Sequence, residues 1–262
     1  MMRRALVWSL SGVLVLPLVM LLLLSVARSW PWPALLPAEL QTRQWRELLA
    51  GTGGLGVIVV RSLGIGAGVA TLATTLAFAS SRSVARHARR DQLLVLLHLP
   101  FAASSVVLGV SLLYLFLRLH LAGHIAGVML AQLVLAYAYA VILLVGWWNT
   151  EVQSLEDLAV ALGAGRRDVW LRVLLPLARP LLMVCLLQTF LISWFDYALT
   201  LLIGDGQVTT LTVTLYQYFS SGDLRLAATC ALLLLAPPIC ALVINHRLLS
   251  ATVSTPLDLQ GD

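Results

Sequence analysis

Asp196 is the one carboxylate well inside a long apolar run, and an ionisable side chain in such a place is a functional candidate because a lone charge in hydrocarbon is costly. Cys185, Thr189, Ser193, Asp196 and Thr200 follow one another at steps of four, four, three and four residues, the spacing of one helical face. Such a face lines either a solute pathway or a helix interface, and both readings stay open. Gln132 and Tyr139, with Ala136 between them, share a face of the preceding apolar run and are pathway candidates on the same logic. Arg61 opens an earlier run and is expected to snorkel to the outer headgroups.

The remaining reactive side chains form no constellation. His120 and His124 are spaced i, i+4 with no third ligand nearby, and His98 stands alone, whereas a zinc site draws on about three or four protein ligands. No metal is expected. There is no His-Glu-x-x-His pattern and no paired nucleophile and base, so no catalytic residue is assigned and the chain is not read as an enzyme. Gly51-Thr52-Gly53-Gly54-Leu55-Gly56 has the letters of a dinucleotide fingerprint, but no strand-like run precedes it and an apolar span follows, which makes it a chance match. All 17 cations are arginine. Without lysine the Gly-Lys-Ser/Thr of a phosphate-binding loop cannot form, so the chain binds no ATP by that route.

These residues sit in a chain of 262, of which 60% are hydrophobic and 11% charged, with a mean hydropathy of +0.93. A soluble domain carries roughly 25% charged residues, so a soluble globule is excluded, as is a disordered chain. Cys185, Cys230 and Cys240 all lie in apolar runs and read as small hydrophobes, not as a disulfide framework. Six segments are long enough to cross a bilayer as helices: Ala5 to Val26, Ser62 to Ser81, Leu93 to Leu117, Ile125 to Trp148, Leu181 to Ile203 and Leu226 to Ile244. With the amino terminus inside, eleven arginines (3, 4, 82, 86, 89, 90, 166, 167, 172, 179 and 247) flank the cytoplasmic side and six (28, 43, 46, 61, 118 and 225) the outer side. That bias places both termini in the cytoplasm. The charge of +5 and pI near 9.6 thus report topology, with no nucleic-acid partner implied.

The first segment has 22 charge-free residues, more than the roughly 7–15 of a signal-peptide core, and reads as an uncleaved helix. Arg28 to Gly56 then forms an outer loop whose Trp30, Trp32 and Trp45, with Pro31 and Pro33, suit the headgroup interface. In the second span Gly64, Gly68, Thr71 and Thr75 make a small-residue face expected to pack closely against another helix. The fold class is therefore all-α: a polytopic membrane protein with six transmembrane helices.

The fourth and fifth spans are joined by Asn149 to Pro180, the longest cytoplasmic stretch. It reads as two short helices: Glu151 to Leu162, broken by Gly163-Ala-Gly165, then Arg166 to Leu174, ended by Pro176 before the fifth span. Leu155, Leu158, Ala159 and Leu162 recur at i, i+3, i+4 and i+7 as one apolar stripe. By amphipathicity alone the stripe fits a groove on a partner protein or the surface of the bilayer.

The run from Leu155 to Pro180 resembles the EAA loop of inner-membrane permease subunits of binding-protein-dependent ATP-binding-cassette (ABC) importers, of the type I (MetI-like) fold. The family pattern is Glu-Ala-Ala, three residues, Gly, nine residues, Ile, one residue, Leu-Pro. Asp157, Leu158 and Ala159 occupy the first places, with Glu156 beside them; Gly163 is the glycine, Val173 the isoleucine position, and Leu175 and Pro176 the Leu-Pro. All spacings hold, with Asp for Glu, Leu for the first Ala and Val for Ile.

The resemblance extends over roughly residues 56–248, with the loop at 155–176; residues 1–55 are then a first span and outer loop, and 249–262 a cytoplasmic tail. It implies a permease in a bacterial inner membrane, working with two ATPase subunits, a second permease that is identical or homologous, and an extracytoplasmic solute-binding protein. ATP is bound by the ATPase partners and no cofactor by this chain. Glu156, Asp157, Leu158, Ala159, Gly163, Val173, Leu175 and Pro176 would couple to the ATPase, and Thr189, Ser193, Asp196, Thr200, Gln132 and Tyr139 would border the pathway. The segment from Ser193-Trp-Phe-Asp196-Tyr through Ser221-Gly-Asp-Leu-Arg-Leu-Ala-Ala resembles permeases of the polyamine, thiamine and ferric-iron branch, which implies a substrate of one of those kinds. The alternative is a secondary transporter or channel working without an ATPase, a class that shows inverted repeats and several intramembrane charges; one intramembrane acid and no obvious repeat count against it.

Overall fold

The computed structural model describes residues 2–30, 37, 39–50 and 54–253, with 2–11 and 241–253 described as helix alone. Pro31, Trp32, Pro33, Gly51, Gly53 and the tail residues 254–262, all given roles above, lie outside the described residues. The helices are α1 (Met2–Val26), α2 (Arg43–Leu49), α3 (Gly54–Ala85), α4 (Arg90–Ala102), α5 (Ser105–Arg118), α6 (Ile125–Val145), α7 (Thr150–Ala161), α8 (Arg166–Asp168), a π-helical segment Val169–Leu174, α9 (Leu175–Trp194), α10 (Ala198–Gly204), α11 (Leu211–Ser220) and α12 (Leu224–Val253). The described strands are β1 (Ala27–Ser29) and β2 (Glu39–Leu40), an antiparallel pair.

The contacts divide the chain into two compact units, Val57–Val213 and Met1–Gly56 with Thr214–Asp262. In the second of these, α1 packs along α12. The outer loop there is tied by Gln44, whose amide donates to the Ser25 carbonyl, and by Arg225, whose Nη1 donates to Gln41 Oε1 at 2.6 Å. Glu47 lies 2.6 Å from Arg43 one turn away, and its hydrogen bond and charge raise the Arg43 pKa.

In Val57–Val213 the apolar faces meet in two clusters. One gathers Phe78, Val141, Leu144, Trp148, Val169 and Leu174; the other gathers Ile65, Val69, Phe116, Val128, Leu199 and Ile203. The helix α6 contributes to both and buries residues on most of its faces, as expected of a helix apolar all round. Gly127 on α6 is required by space, since a Cβ there would overlap the Leu121 carbonyl.

Among the described residues, three helices are long and apolar enough to cross a membrane: Gly54–Ala85, Ile125–Val145 and Arg166–Trp194. A fourth is added if the bent pair α4 and α5 is one span. The described apolar parts of α1 and α12 are the shorter Val15–Val26 and Leu224–Cys240. The expected third span, Leu93 to Leu117, is not a straight helix: α4 and α5 meet at 97°. Ala103 is extended (φ −95°, ψ 146°), and the Ser104 hydroxyl starts α5 by accepting from the Val106 N–H at 3.3 Å. Serine at that place favours a new helix over continuation of the old one.

Pro176 does not end a helix. Residues Arg166–Trp194 form one 29-residue helix that runs through it. Proline has no N–H to offer the carbonyl four residues back, and its ring crowds that carbonyl. The chain widens the preceding turn instead, and the Leu175 N–H reaches the Trp170 carbonyl five residues back.

Candidate functional site

Two places collect the residues singled out by sequence, both within Val57–Val213. The first is the loop between α6 and α9. Asn149 starts α7 by accepting from the Val152 N–H at 2.9 Å through its side chain. Along α7, Val152 and Glu156 are buried and Ala159 packs against the core, while Leu155, Leu158 and Leu162 are 43%, 56% and 80% exposed. The expected stripe therefore divides: its alanine faces inward and its three leucines face out, beside exposed Asp157.

Gly163 has φ +85°, its N–H donates to the Val160 carbonyl, and the Ala164 N–H donates to the Ala159 carbonyl. That pair of bonds is a Schellman close, which needs a left-handed residue at this position. A Cβ at Gly163 would meet nothing within 4 Å, so conformation alone calls for glycine. Val173 and Leu175 are half-buried on the helix that follows, and Pro176 is exposed.

Glu156, expected among the coupling residues, points away from the leucines. Its carboxylate pairs with Arg82 and, at 2.7 Å, with Arg86, both at the end of α3. Sequence reasoning took these arginines only as topology markers. The available signal was spacing, since Glu156 lies four residues after Val152 and three before Ala159, on the face that had to be inside.

The second place is the break between α9 and α10. Gln132 donates through Nε2 to Asp196 Oδ2 at 3.1 Å and to Thr200 Oγ1 at 2.9 Å, and the Ser193 hydroxyl donates to Gln132 Oε1 at 2.5 Å. Asp196 Oδ2 also accepts from the Thr200 N–H and hydroxyl, each at 2.9 Å. Four of the six expected pathway residues thus form one hydrogen-bonded cluster, in which Asp196 caps the first turn of α10. Thr189 joins Thr74 of α3 at 3.3 Å, with Cys185 Sγ 3.8 Å from the same threonine. Tyr139 is half-buried on α6 and enters neither group.

Cys185, Thr189, Ser193 and Thr200 are all buried, so this face bonds to neighbouring helices. Asp196 alone of the polar face also lines an open cavity of about 430 Å³, beside Pro100, Phe101 and Ala103 at the α4–α5 bend. The small-residue face of α3 divides in the same way. Gly68 lies against Met129, while Gly64, Thr71 and Thr75 are exposed and the threonine hydroxyls bond to their own helix. Among the described residues no three His, Cys, Asp or Glu side chains gather as a metal site.

Residues 66–254 match a family described as binding-protein-dependent transport system inner membrane component. The chain is 34% identical over 160 residues to the molybdenum transport system permease protein ModB of Mycobacterium bovis (strain ATCC BAA-935 / AF2122/97). The same figures hold for the ModB protein of Mycobacterium tuberculosis (strain ATCC 25618 / H37Rv). The match covers 56% of this chain and 60% of each relative, so the chain spans less than two thirds of their length.

Proposed function

This chain belongs to the binding-protein-dependent transport system inner membrane components, and from that premise we propose that it is the permease subunit of an ATP-driven importer, a conduit rather than a catalyst. The observation that carries the reading is the outward stripe of Leu155, Leu158 and Leu162 on α7, closed by left-handed Gly163 and joined by the short turn of residues 162–165 to the 29-residue helix Arg166–Trp194. Three leucines on one face of a short polar helix have the form of a knob for a hydrophobic groove. In this reading the groove belongs to an ATPase subunit, with Asp157 at its edge. Two such subunits serve two permease chains, and an extracytoplasmic binding protein delivers the solute. Nucleotide is bound by the ATPases, and both termini of the permease lie in the cytoplasm.

The mechanics follow from the helix. A force applied to α7 passes through the Gly163 close into Arg166–Trp194, which is rigid apart from its wide π turn. The far end of that helix is the break at Asp196, next to the cavity at the α4–α5 bend. Motion of α7 would thereby reshape the cavity wall. Asp196 serves here as a cap: one oxygen already accepts three hydrogen bonds, which lowers its attraction for a cation.

For cargo we infer a molybdenum species, an anion in neutral water, in place of the polyamine, thiamine or ferric-iron branch. The relatives named for molybdenum transport support this. The test is reconstitution of the chain with a cognate ATPase and binding protein in vesicles. Uptake of molybdate that requires all three and ATP is expected; uptake at full rate by this chain alone would overturn the reading.

A further inference from the structure

The covalent path from α7 leads to α6 on one side and to α8, the π segment and α9 on the other, and never to α3. Yet α3 ends inside the loop. Arg82 and Arg86, one turn apart, reach the two oxygens of Glu156 across 74 and 70 residues of sequence. The Glu156 side chain is only 8% exposed. The Arg82 guanidinium also lies 5.9 Å from the centre of the Trp170 ring, and its Nε is buried with no partner. Glu156 and the ring face both favour the cation there.

Two further contacts grip the same end of α3: Trp148 Nε1 donates to Ser81 Oγ at 2.9 Å, and Phe78 meets Trp170 edge-on at 5.3 Å. All three segments of the loop, namely the turn before α7, α7 itself and the π segment, thus close on one helix end.

We propose that Glu156 is a positioning residue, an ionic latch that makes α3 move with α7. Apolar contacts permit sliding, whereas a carboxylate with each oxygen on a different arginine resists both shear and separation. The pull on the loop would then reach the second span directly, alongside the path through α9. The 32-residue α3 is about 48 Å long at 1.5 Å per residue, against about 30 Å of hydrocarbon. Its latched end can therefore stand clear of lipid. The proposal rests on the reading that α7 docks an ATPase.

The test uses the assembled complex of permease, ATPase and binding protein in vesicles, reading solute taken up per ATP hydrolysed. Glu156→Gln is expected to keep the ATPases bound, because the leucine stripe is untouched, and to lower uptake per ATP at least tenfold. The conservative Glu156→Asp, which keeps a carboxylate for both arginines, is expected to recover at least a third of the wild-type ratio. With Cys185, Cys230 and Cys240 replaced by alanine, spin labels on Ser83→Cys and Ser154→Cys should keep one separation with and without ATP, and two separations once Glu156→Gln is added.

An unchanged ratio in Glu156→Gln overturns the latch alone. So does a Glu156→Asp variant that inserts at wild-type levels without recovery, or a label separation that already varies without the Gln substitution. A wild-type chain that binds no ATPase overturns the functional reading and the latch with it.

Discussion

Gly163 and Asp196 show how one residue fixes a bend for different reasons. At Gly163 the φ of +85° is the whole requirement, since space for a Cβ is free. A left-handed residue with a Cβ costs about 1–2 kcal/mol. We expect Gly163→Ala to weaken the close by about that much and reduce uptake partially. Gly163→Pro, unable to take positive φ, should abolish coupled uptake while the chain stays inserted, as measured by membrane fractionation beside transport assays. At Asp196 the requirement is acceptors: Asp196→Asn keeps one oxygen for the α10 cap, while Asp196→Ala leaves Gln132 Nε2 and the Thr200 N–H short of a partner. A lost bond to a charged acceptor is worth roughly 1.5–3 kcal/mol. Asp196→Ala should lower the melting temperature of the detergent-purified protein clearly more than Asp196→Asn, with ATPase binding retained in both. The helical periodicity of Cys185 to Ser193 was legible in sequence because period is local, but the expected fifth span from Leu181 to Ile203 is not one helix: α9 ends at Trp194 and Thr200 lies on α10. That Gln132 completes the cluster was not legible, since its partners are 61 to 68 residues away.

The elements carry the same contrast. Asn149 as an N-cap and Gly163 as a close are local chemistry, and α7 between them follows from the sequence. Which face of α7 is inside is a tertiary matter: burying Val152, Glu156 and Ala159 leaves the leucines out, and only the arginines at the end of α3 make an inward glutamate tolerable. Pro176 misleads for a physical reason as well, because a π turn offers an alternative to termination that composition does not reveal. The bend between α4 and α5 had a sequence signal in Ser104 and Ser105, hidden inside a run whose hydropathy alone reads as one span. Burying one leucine is worth about 1.5–3 kcal/mol, or roughly 10- to 150-fold in affinity. Leu158→Asp, at a position 56% exposed, should therefore cut ATPase co-purification at least tenfold while leaving the melting temperature of the isolated permease within a degree or two.

At the scale of the whole molecule, the class of the chain was legible from composition, because the bilayer demands helices long enough to span it and 60% hydrophobic residues supply them. Sidedness rests on the arginine count and on the loop. It is testable by labelling single cysteines in intact and opened cells, in a chain whose Cys185, Cys230 and Cys240 are replaced by alanine: Ser154→Cys should react only after opening, and His124→Cys, between α5 and α6, without it. On the proposed function, cargo is the property least written in this chain, because a binding protein would select before the permease admits. What the permease contributes is permissiveness. On that reading, an anion crossing beside Asp196 would meet a carboxylate that already accepts hydrogen bonds from Gln132 and Thr200, so repulsion would be softened without a cation site being made. Vesicles carrying the full assembly should take up molybdate in an ATP-dependent manner, with spermidine and ferric iron failing to compete at tenfold excess. Asp196→Asn should shift the rate by less than a factor of about ten while leaving that order of preference intact. If the variant admitted a cation, or if spermidine displaced molybdate in the wild type, the offset carboxylate would have to be read as a ligand after all.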